Sequence, residues 1–254
     1  MPPVITPAET IAGVITRLDD IIAWARTTHD RQGLFPALYR TVTVKVRDGI
    51  HEGVFDDGPR MERLDVIFAN RYLDAFAARQ DGRPMSRSWR SAFDAAGEWW
   101  PTVIQHLLLG INAHINLDLA IAAVETEPAH RLPDLEADFN RINAILASLV
   151  DRTQEALGEV WPLMRVIDWI GGPHDEAIVH FSLERARAEA WGVATRLAAA
   201  ASASDRTVEI DRTDLRTATL AHRIRHPGPL LGFATRLVRL GELRSVPRIL
   251  DLLG

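Results

Sequence analysis

The sequence of 254 residues contains no cysteine, and this absence excludes several kinds of chemistry. Disulfide bonds, thiolate nucleophiles and cysteine-ligated zinc cannot be present. Lysine is almost missing too, because Lys45 is the only one and the other cationic side chains, apart from histidine, are arginines. The arginines are spread along the chain and are balanced by acidic residues to a formal net charge of −5. We therefore expect no nucleic-acid partner.

Segments that would carry the chain into or across a membrane are also lacking. No stretch offers about 18 uninterrupted apolar residues, so we expect no transmembrane segment. Residues 1–7 have neither a basic region nor an apolar run, and we therefore expect no secretory signal and a cytoplasmic location. The tail over 230–253 is amphipathic and basic, and it could contact anionic lipid, but packing against the rest of the protein is favoured. The sequence leaves the oligomeric state open.

Apolar residues recur at helical spacing in nearly every segment, which predicts an all-α fold with a buried central helix in a multi-helix bundle. We expect one helical domain over 1–254, with 210–254 forming peripheral C-terminal helices. The segment 36–50 is rich in valine and threonine and could be a strand, but an apolar residue at every fourth position favours a helix. The predicted helices cover about 7–29, 36–50, 58–80, 86–99, 101–125, 134–157, 160–170 and 174–202, with short helices after 211.

The segment 105–124 is apolar on nearly every side and should therefore lie at the centre of the fold. It nevertheless carries His114 and Asp118, which are four residues apart and share a face. Asn112 and Asn116 lie roughly opposite, where we expect them to tie neighbouring helices together. Each pair needs partners, because an unpaired buried polar group costs roughly 1–3 kcal/mol.

Other polar residues are also predicted to lie on apolar helix faces. His180 and Glu184 repeat the four-residue spacing, and we expect them to point inward. Arg187 follows Glu184 by three residues, so it could hold that carboxylate or an anionic ligand. Asp65 lies within an apolar stripe of its helix and therefore needs a partner; the stripe consists of Met61, Phe68, Tyr72 and Phe76.

The leading hypothesis from these residues is a metal-dependent helical-bundle enzyme, a hydrolase or an enzyme that modifies a small-molecule substrate. Helical bundles hold metals with histidines and carboxylates from facing helices, and this donor set suits Zn, Fe or Mn. Asp65 would be a further ligand or a general base, and Arg187 would orient an acid or the substrate. The predicted metal ligands are His114, Asp118, His180 and Glu184.

Two other hypotheses remain open. The first is a metal-free helical pocket that binds or cyclises an apolar metabolite; it predicts a cavity lined by Trp and Phe, with the two His–carboxylate pairs apart. The second is a structural or interaction protein, which predicts that every polar residue is paired and that no cavity exists. In that case the buried His–Asp pair is simply hydrogen-bonded, and Asp65 forms a salt bridge with Arg71 or another arginine.

The motif Gly110–Leu119 (Gly-Ile-Asn-Ala-His-Ile-Asn-Leu-Asp-Leu) resembles the signature of a family of uncharacterised proteins from actinobacteria and their relatives. The resemblance extends to 34–43, 55–75 and 180–191. It implies an all-helical protein and transfers no activity.

The spacing is also similar to that in zinc-dependent phospholipase C, an all-helical enzyme whose metal site uses a His-x-x-x-Asp and a later His-x-x-x-Glu. Those positions would fall on His114, Asp118, His180 and Glu184. The chain has no counterpart of that enzyme's N-terminal tryptophan ligand or of its other histidine ligands. The similarity therefore implies a site design and no phospholipid substrate.

Overall fold

The computed structural model describes residues 1–160, 183–242 and 245–254, without the side chains of 147–160, 230, 231 and 234. Throughout these ranges the regular structure is helical and contains no β-strand, which confirms the predicted all-α class. The helices are α1 (Ile11–Thr28), α2 (Leu34–His51), α3 (Gly58–Asp81), α4 (Arg87–Ala96), α5 (Val103–Ala113), α6 (Leu119–Thr126), α7 (Leu132–Val160), α8 (Leu183–Ala199), α9 (Ala203–Arg225), α10 (Pro229–Gly241) and α11 (Val246–Leu253).

Local capping sets several of the helix ends. The Thr10 side chain accepts a hydrogen bond from the N–H of Gly13, so α1 begins at Ile11 and not at the predicted residue 7. The Asp57 side chain accepts from the N–H of Arg60, which confirms the predicted start of α3. Gly82 ends α3 with a φ of 66°, a left-handed conformation that glycine adopts without steric cost.

The segment with many β-branched residues forms the helix α2, as predicted. Its burial in the bundle outweighs its modest helix propensity. Helix α4 ends at Ala96, three residues before the predicted end. Val160 ends α7, while the remainder of the predicted helix over 160–170 and the start of the one over 174–202 lie outside the described residues.

The segment Val103–Thr126 is the centre of the fold. Helix α5 continues through a short π-helical segment, His114–Asp118, into α6. Helices α2, α4 and α9 pack on α5, and helices α3 and α8 pack on α6. The segment is long enough to cross a membrane, and its most apolar stretch of 18 residues has a mean hydropathy of 1.7, but 78% of that stretch is buried inside the protein, as in a core helix.

The C-terminal helices pack against this centre in different ways. Asp214 in α9 is buried and accepts hydrogen bonds from the backbone N–H groups of Arg87 and Ser88, which fixes the start of α4. Helix α11 packs on α1 and α2, and its buried face consists of Val246, Ile249, Leu250 and Leu253.

Candidate functional site

A cavity of about 250 Å³ lies among α2, α3, the central helix, α7 and α8. Its wall is almost entirely apolar, because α2 and α3 contribute mainly aliphatic and aromatic side chains. Among the described lining residues, four polar groups come from different helices: Tyr39 from α2, Asp65 from α3, His114 from the π-segment and Arg187 from α8. An apolar cavity with a few polar groups is the usual form of a small-molecule site.

His114 lies where the central helix changes from α to π geometry. The N–H of Leu119 donates to the carbonyl of His114 five residues earlier, which widens this turn. The imidazole stacks on Phe68, with 3.5 Å between ring centroids, and is only 2% exposed. Its Nδ1 lies 3.1 Å from Oδ2 of Asp118, whereas its Nε2 is buried without a hydrogen-bond partner in the described part of the chain.

Asp118 holds the histidine in this orientation. Its Oδ2 also accepts from Nε1 of Trp89 at 2.8 Å, and its Oδ1 accepts from Nε of Arg71 at 3.1 Å. A carboxylate surrounded by donors places the imidazole proton on Nδ1, so Nε2 of His114 carries a lone pair. Burial lowers the pKa of His114, and the ring is therefore neutral near pH 7. The alternative in which Arg71 pairs with Asp65 is wrong, because Arg71 pairs with Asp118.

Asp65 is buried in the stripe on α3, as predicted, and its Oδ2 has no hydrogen-bond partner among the described residues. Burial, followed by the nearby charge of Glu62, raises the pKa of Asp65 to about 7. Tyr39 is buried as well, and its Oη likewise lacks a partner within the described ranges. Burial and then the charge of Asp65 raise the pKa of Tyr39, so its hydroxyl stays protonated.

Arg187 is 3% exposed and faces inward on α8. Its Nε donates to Oδ1 of Asn143 at 2.7 Å, and its Nη2 donates to the carbonyl of Phe139. The guanidinium also lies over the Phe139 ring, 4.4 Å from its centroid. Burial lowers the pKa of Arg187 to about 9, which leaves it cationic at pH 7.

Of the second predicted His–carboxylate pair, only Glu184 lies within the described residues. Glu184 is exposed, so the prediction that it points inward is wrong. The buried side of α8 runs through Ala186, Arg187 and Ala190, which turns Glu184 toward solvent. His180 lies outside the described residues. Within the ranges that are described, no group of three or more histidines and carboxylates could hold a metal. The four-ligand metal site therefore stays a prediction.

Asn112 ties neighbouring helices together as predicted, whereas the hydrogen bond of Asn116 stays within the central helix. Nδ2 of Asn112 donates to the backbone carbonyl of Thr217 in α9 at 2.9 Å, and Nδ2 of Asn116 donates to Oδ1 of Asn112 at 2.8 Å.

The sequence did not predict three features of the site: Tyr39, Trp89 and the pairing of Arg71 with Asp118. Tyr39 could have been found, because it shares the helical spacing of the apolar residues that line the cavity from α2.

Comparisons with known proteins give one match. A model described as a family of unknown function, DUF5995, matches residues 11–227. The matched region contains all four polar groups of the cavity wall. No curated protein and no solved structure matches the chain.

Proposed function

Because the chain belongs to this family of unknown function, its role has to come from its own residues, and we propose that it binds an apolar small molecule in the cavity. The main observation behind this proposal is an apolar cavity whose wall contains three buried polar atoms that have no partner among the described residues. These atoms are Oη of Tyr39, Oδ2 of Asp65 and Nε2 of His114. Buried polar atoms are normally paired, so a bound molecule is a natural source of the missing partners.

The cavity has room for such a molecule. An empty apolar cavity of about 150 Å³ in another protein stays dry and binds benzene. At about 250 Å³, this cavity accepts a molecule larger than a single aromatic ring. Its walls offer flat aromatic contacts from Phe35 and Phe68 and aliphatic contacts from α2 and α7.

The polar atoms define what the molecule should carry. Nε2 of His114 accepts a hydrogen bond, whereas the Tyr39 hydroxyl can donate one. Asp65 can donate when it is protonated and accept when it is ionised. A hydroxyl or carbonyl group on the ligand would satisfy one or more of these atoms and remove an unpaired group that costs roughly 1–3 kcal/mol.

The described residues support ligand binding better than the metal site that the sequence suggests. Both oxygens of Asp118 already accept hydrogen bonds, from Arg71 on one side and from Trp89 and His114 on the other. A metal would have to displace these donors before Asp118 could bind it.

The proposal is tested with the neutral fluorescent probe N-phenyl-1-naphthylamine. We expect the wild-type protein to bind it with an increase in fluorescence, and Val42→Phe, which fills the cavity, to bind it at least about tenfold more weakly. Val208→Phe is the matched control, because Val208 is 55% exposed on α9. Equal binding by wild type and by a folded Val42→Phe variant would overturn the proposal. Ile115→Phe fills the same cavity from the central helix and replaces Val42→Phe if that variant does not fold.

The Asp118–His114 pair favours a second candidate function, general-base catalysis on the bound molecule. A carboxylate that orients Nδ1 and leaves Nε2 unprotonated is the arrangement in which imidazole removes a proton. Here His114 would activate a water molecule that hydrolyses an apolar ester. We would measure hydrolysis of 4-nitrophenyl octanoate by wild type, His114→Gln and the exposed-site control His222→Gln. If the first variant is as active as wild type, this candidate is wrong.

A further inference from the structure

Arg187 differs from the other buried arginines of the described ranges. Nη2 of Arg60 lies 2.9 Å from Asp138, and Nη1 of Arg239 lies 2.8 Å from Glu242, so each of these cations has a buried carboxylate partner. Arg187 makes no ion pair with any described residue. Its two hydrogen-bonded nitrogens contact neutral acceptors, an amide oxygen and a backbone carbonyl.

A buried cation without a counterion is unfavourable, because burial removes its hydration, and no described residue supplies an opposite charge to Arg187. The aromatic ring of Phe139 compensates only in part. The third nitrogen, Nη1, makes no hydrogen bond within the described part of the chain. Arg187 lies in the wall of the apolar cavity, so the N–H groups that its described partners do not use, two on Nη1 and one on Nη2, are the donors left for a bound molecule.

Asp65 does not form an ion pair with Arg187. The residue belongs to the same cavity wall, yet the described hydrogen-bond partners of Arg187 are Asn143 and Phe139. Within the described residues, the cavity therefore has an acidic side chain on α3 and a separate cation on α8 that forms no ion pair.

We propose that the ligand is an apolar molecule with one carboxylate group, and that this carboxylate pairs with the guanidinium of Arg187 while the apolar body fills the cavity. The inference rests on the proposed function and adds the chemical class of the ligand. A carboxylate suits this position, because its two oxygens match the planar donor geometry of arginine. The apolar wall suits a ligand that has no second charge.

The test compares three probes of equal length, octanoate, 1-octanol and octylammonium, by displacement of N-phenyl-1-naphthylamine. We expect wild type to bind octanoate at least about tenfold more tightly than 1-octanol, and octylammonium most weakly. Arg187→Gln should lose at least about tenfold in octanoate affinity and keep its 1-octanol affinity within about twofold. Arg185→Gln is the matched control, because Arg185 lies on the same helix with its side chain 79% exposed, and it should behave as wild type.

The outcomes separate this inference from the proposed function. Equal affinity of wild type for octanoate and 1-octanol overturns the carboxylate class, while the binding function stands. A preference for octanoate that survives in Arg187→Gln also overturns it. If no probe competes and the fluorescent probe itself does not bind, both proposals are wrong. The wild-type comparison needs no variant, so it decides the question even if Arg187→Gln fails to fold.

Discussion

The buried carboxyl of Asp65 should make the stability of the protein fall as the pH rises. Burial and the neighbouring Glu62 raise the pKa of Asp65 to about 7 in the folded protein, compared with 3.8 for an ordinary aspartate. Between these values the folded protein holds a proton that the unfolded chain has already released. The contribution of Asp65 to the free energy of unfolding therefore decreases from about pH 4 to about pH 7 and is constant above. A difference of about three pKa units corresponds to about 4 kcal/mol.

The measurement is urea-induced unfolding of wild type and Asp65→Asn at several values between about pH 4 and pH 8. The informative quantity is the difference in unfolding free energy between the two proteins, because titration of all other groups cancels in it. The asparagine cannot ionise. We therefore expect the variant to gain about 4 kcal/mol relative to wild type over this range, with a slope of about 1.4 kcal/mol per pH unit.

A second variant checks the physical cause of the shift. Glu62→Gln removes the neighbouring charge and leaves the burial of Asp65 unchanged, so the pKa of Asp65 should decrease and the transition should move to lower pH. A difference between wild type and Asp65→Asn that is the same at every pH would refute the reasoning, because it would mean that Asp65 ionises as easily in the folded protein as in the unfolded chain.

Three further predictions concern the packing and the metal content. In Gly110→Ala the new Cβ would lie 2.5 Å from the ring of Phe35, so we expect urea unfolding to show a loss of roughly 1–3 kcal/mol. In Asp138→Asn the buried Arg60 loses its partner at 2.9 Å, and we expect a loss of about 3 kcal/mol in the same assay. Elemental analysis of wild type should show no stoichiometric zinc, iron or manganese, and His114→Ala should give the same result.

Each of these predictions has an outcome that would contradict it. Gly192→Ala is the control for the glycine, because a Cβ there meets nothing closer than 3.7 Å and should not destabilise the helix. Equal effects of the two alanines would mean that contact with Phe35 is unimportant. An unchanged stability of Asp138→Asn would show that Arg60 does not need its partner. A metal that is bound by wild type and lost in His114→Ala would favour the metal-dependent enzyme over the apolar pocket.

Local patterns were sufficient to predict the helices and part of the site. The apolar spacing predicted the helix α1, apart from its start, and the position of Asp65 inside the stripe on α3, because helical periodicity and burial coincide there. The pairing of His114 with Asp118 followed from their four-residue spacing on a buried helix. Their partners could not be predicted in the same way. Arg71 and Trp89 are 47 and 29 residues from Asp118, and only the packing of α3 and α4 brings them to it.

The inward side of α8 shows why the remainder of the site was not predictable. The pattern of His180 and Glu184 suggested an inward carboxylate, but the helix buries Arg187 and exposes Glu184. The spacing of the charged residues alone does not tell which of Glu184 and Arg187 is buried. Arg187 is stabilised at its buried position by tertiary contacts, since its acceptors Phe139 and Asn143 both belong to α7.

In the π-helical segment, the number of residues matters to the site as well as their identity. A π-turn holds one residue more than an α-turn, so α6 leaves it rotated by about 100° from where an unbroken α-helix would have continued. If the turn became α-helical with every residue kept, the buried face of α6 would rotate away from α3 and α8. Removing one residue between His114 and Asp118 would offset that rotation, because the shorter chain and the tighter turn compensate for each other. Such a deletion would therefore leave the packing of α6 in register and would be felt at the site itself, where the spacing of His114 and Asp118 would fall from four residues to three.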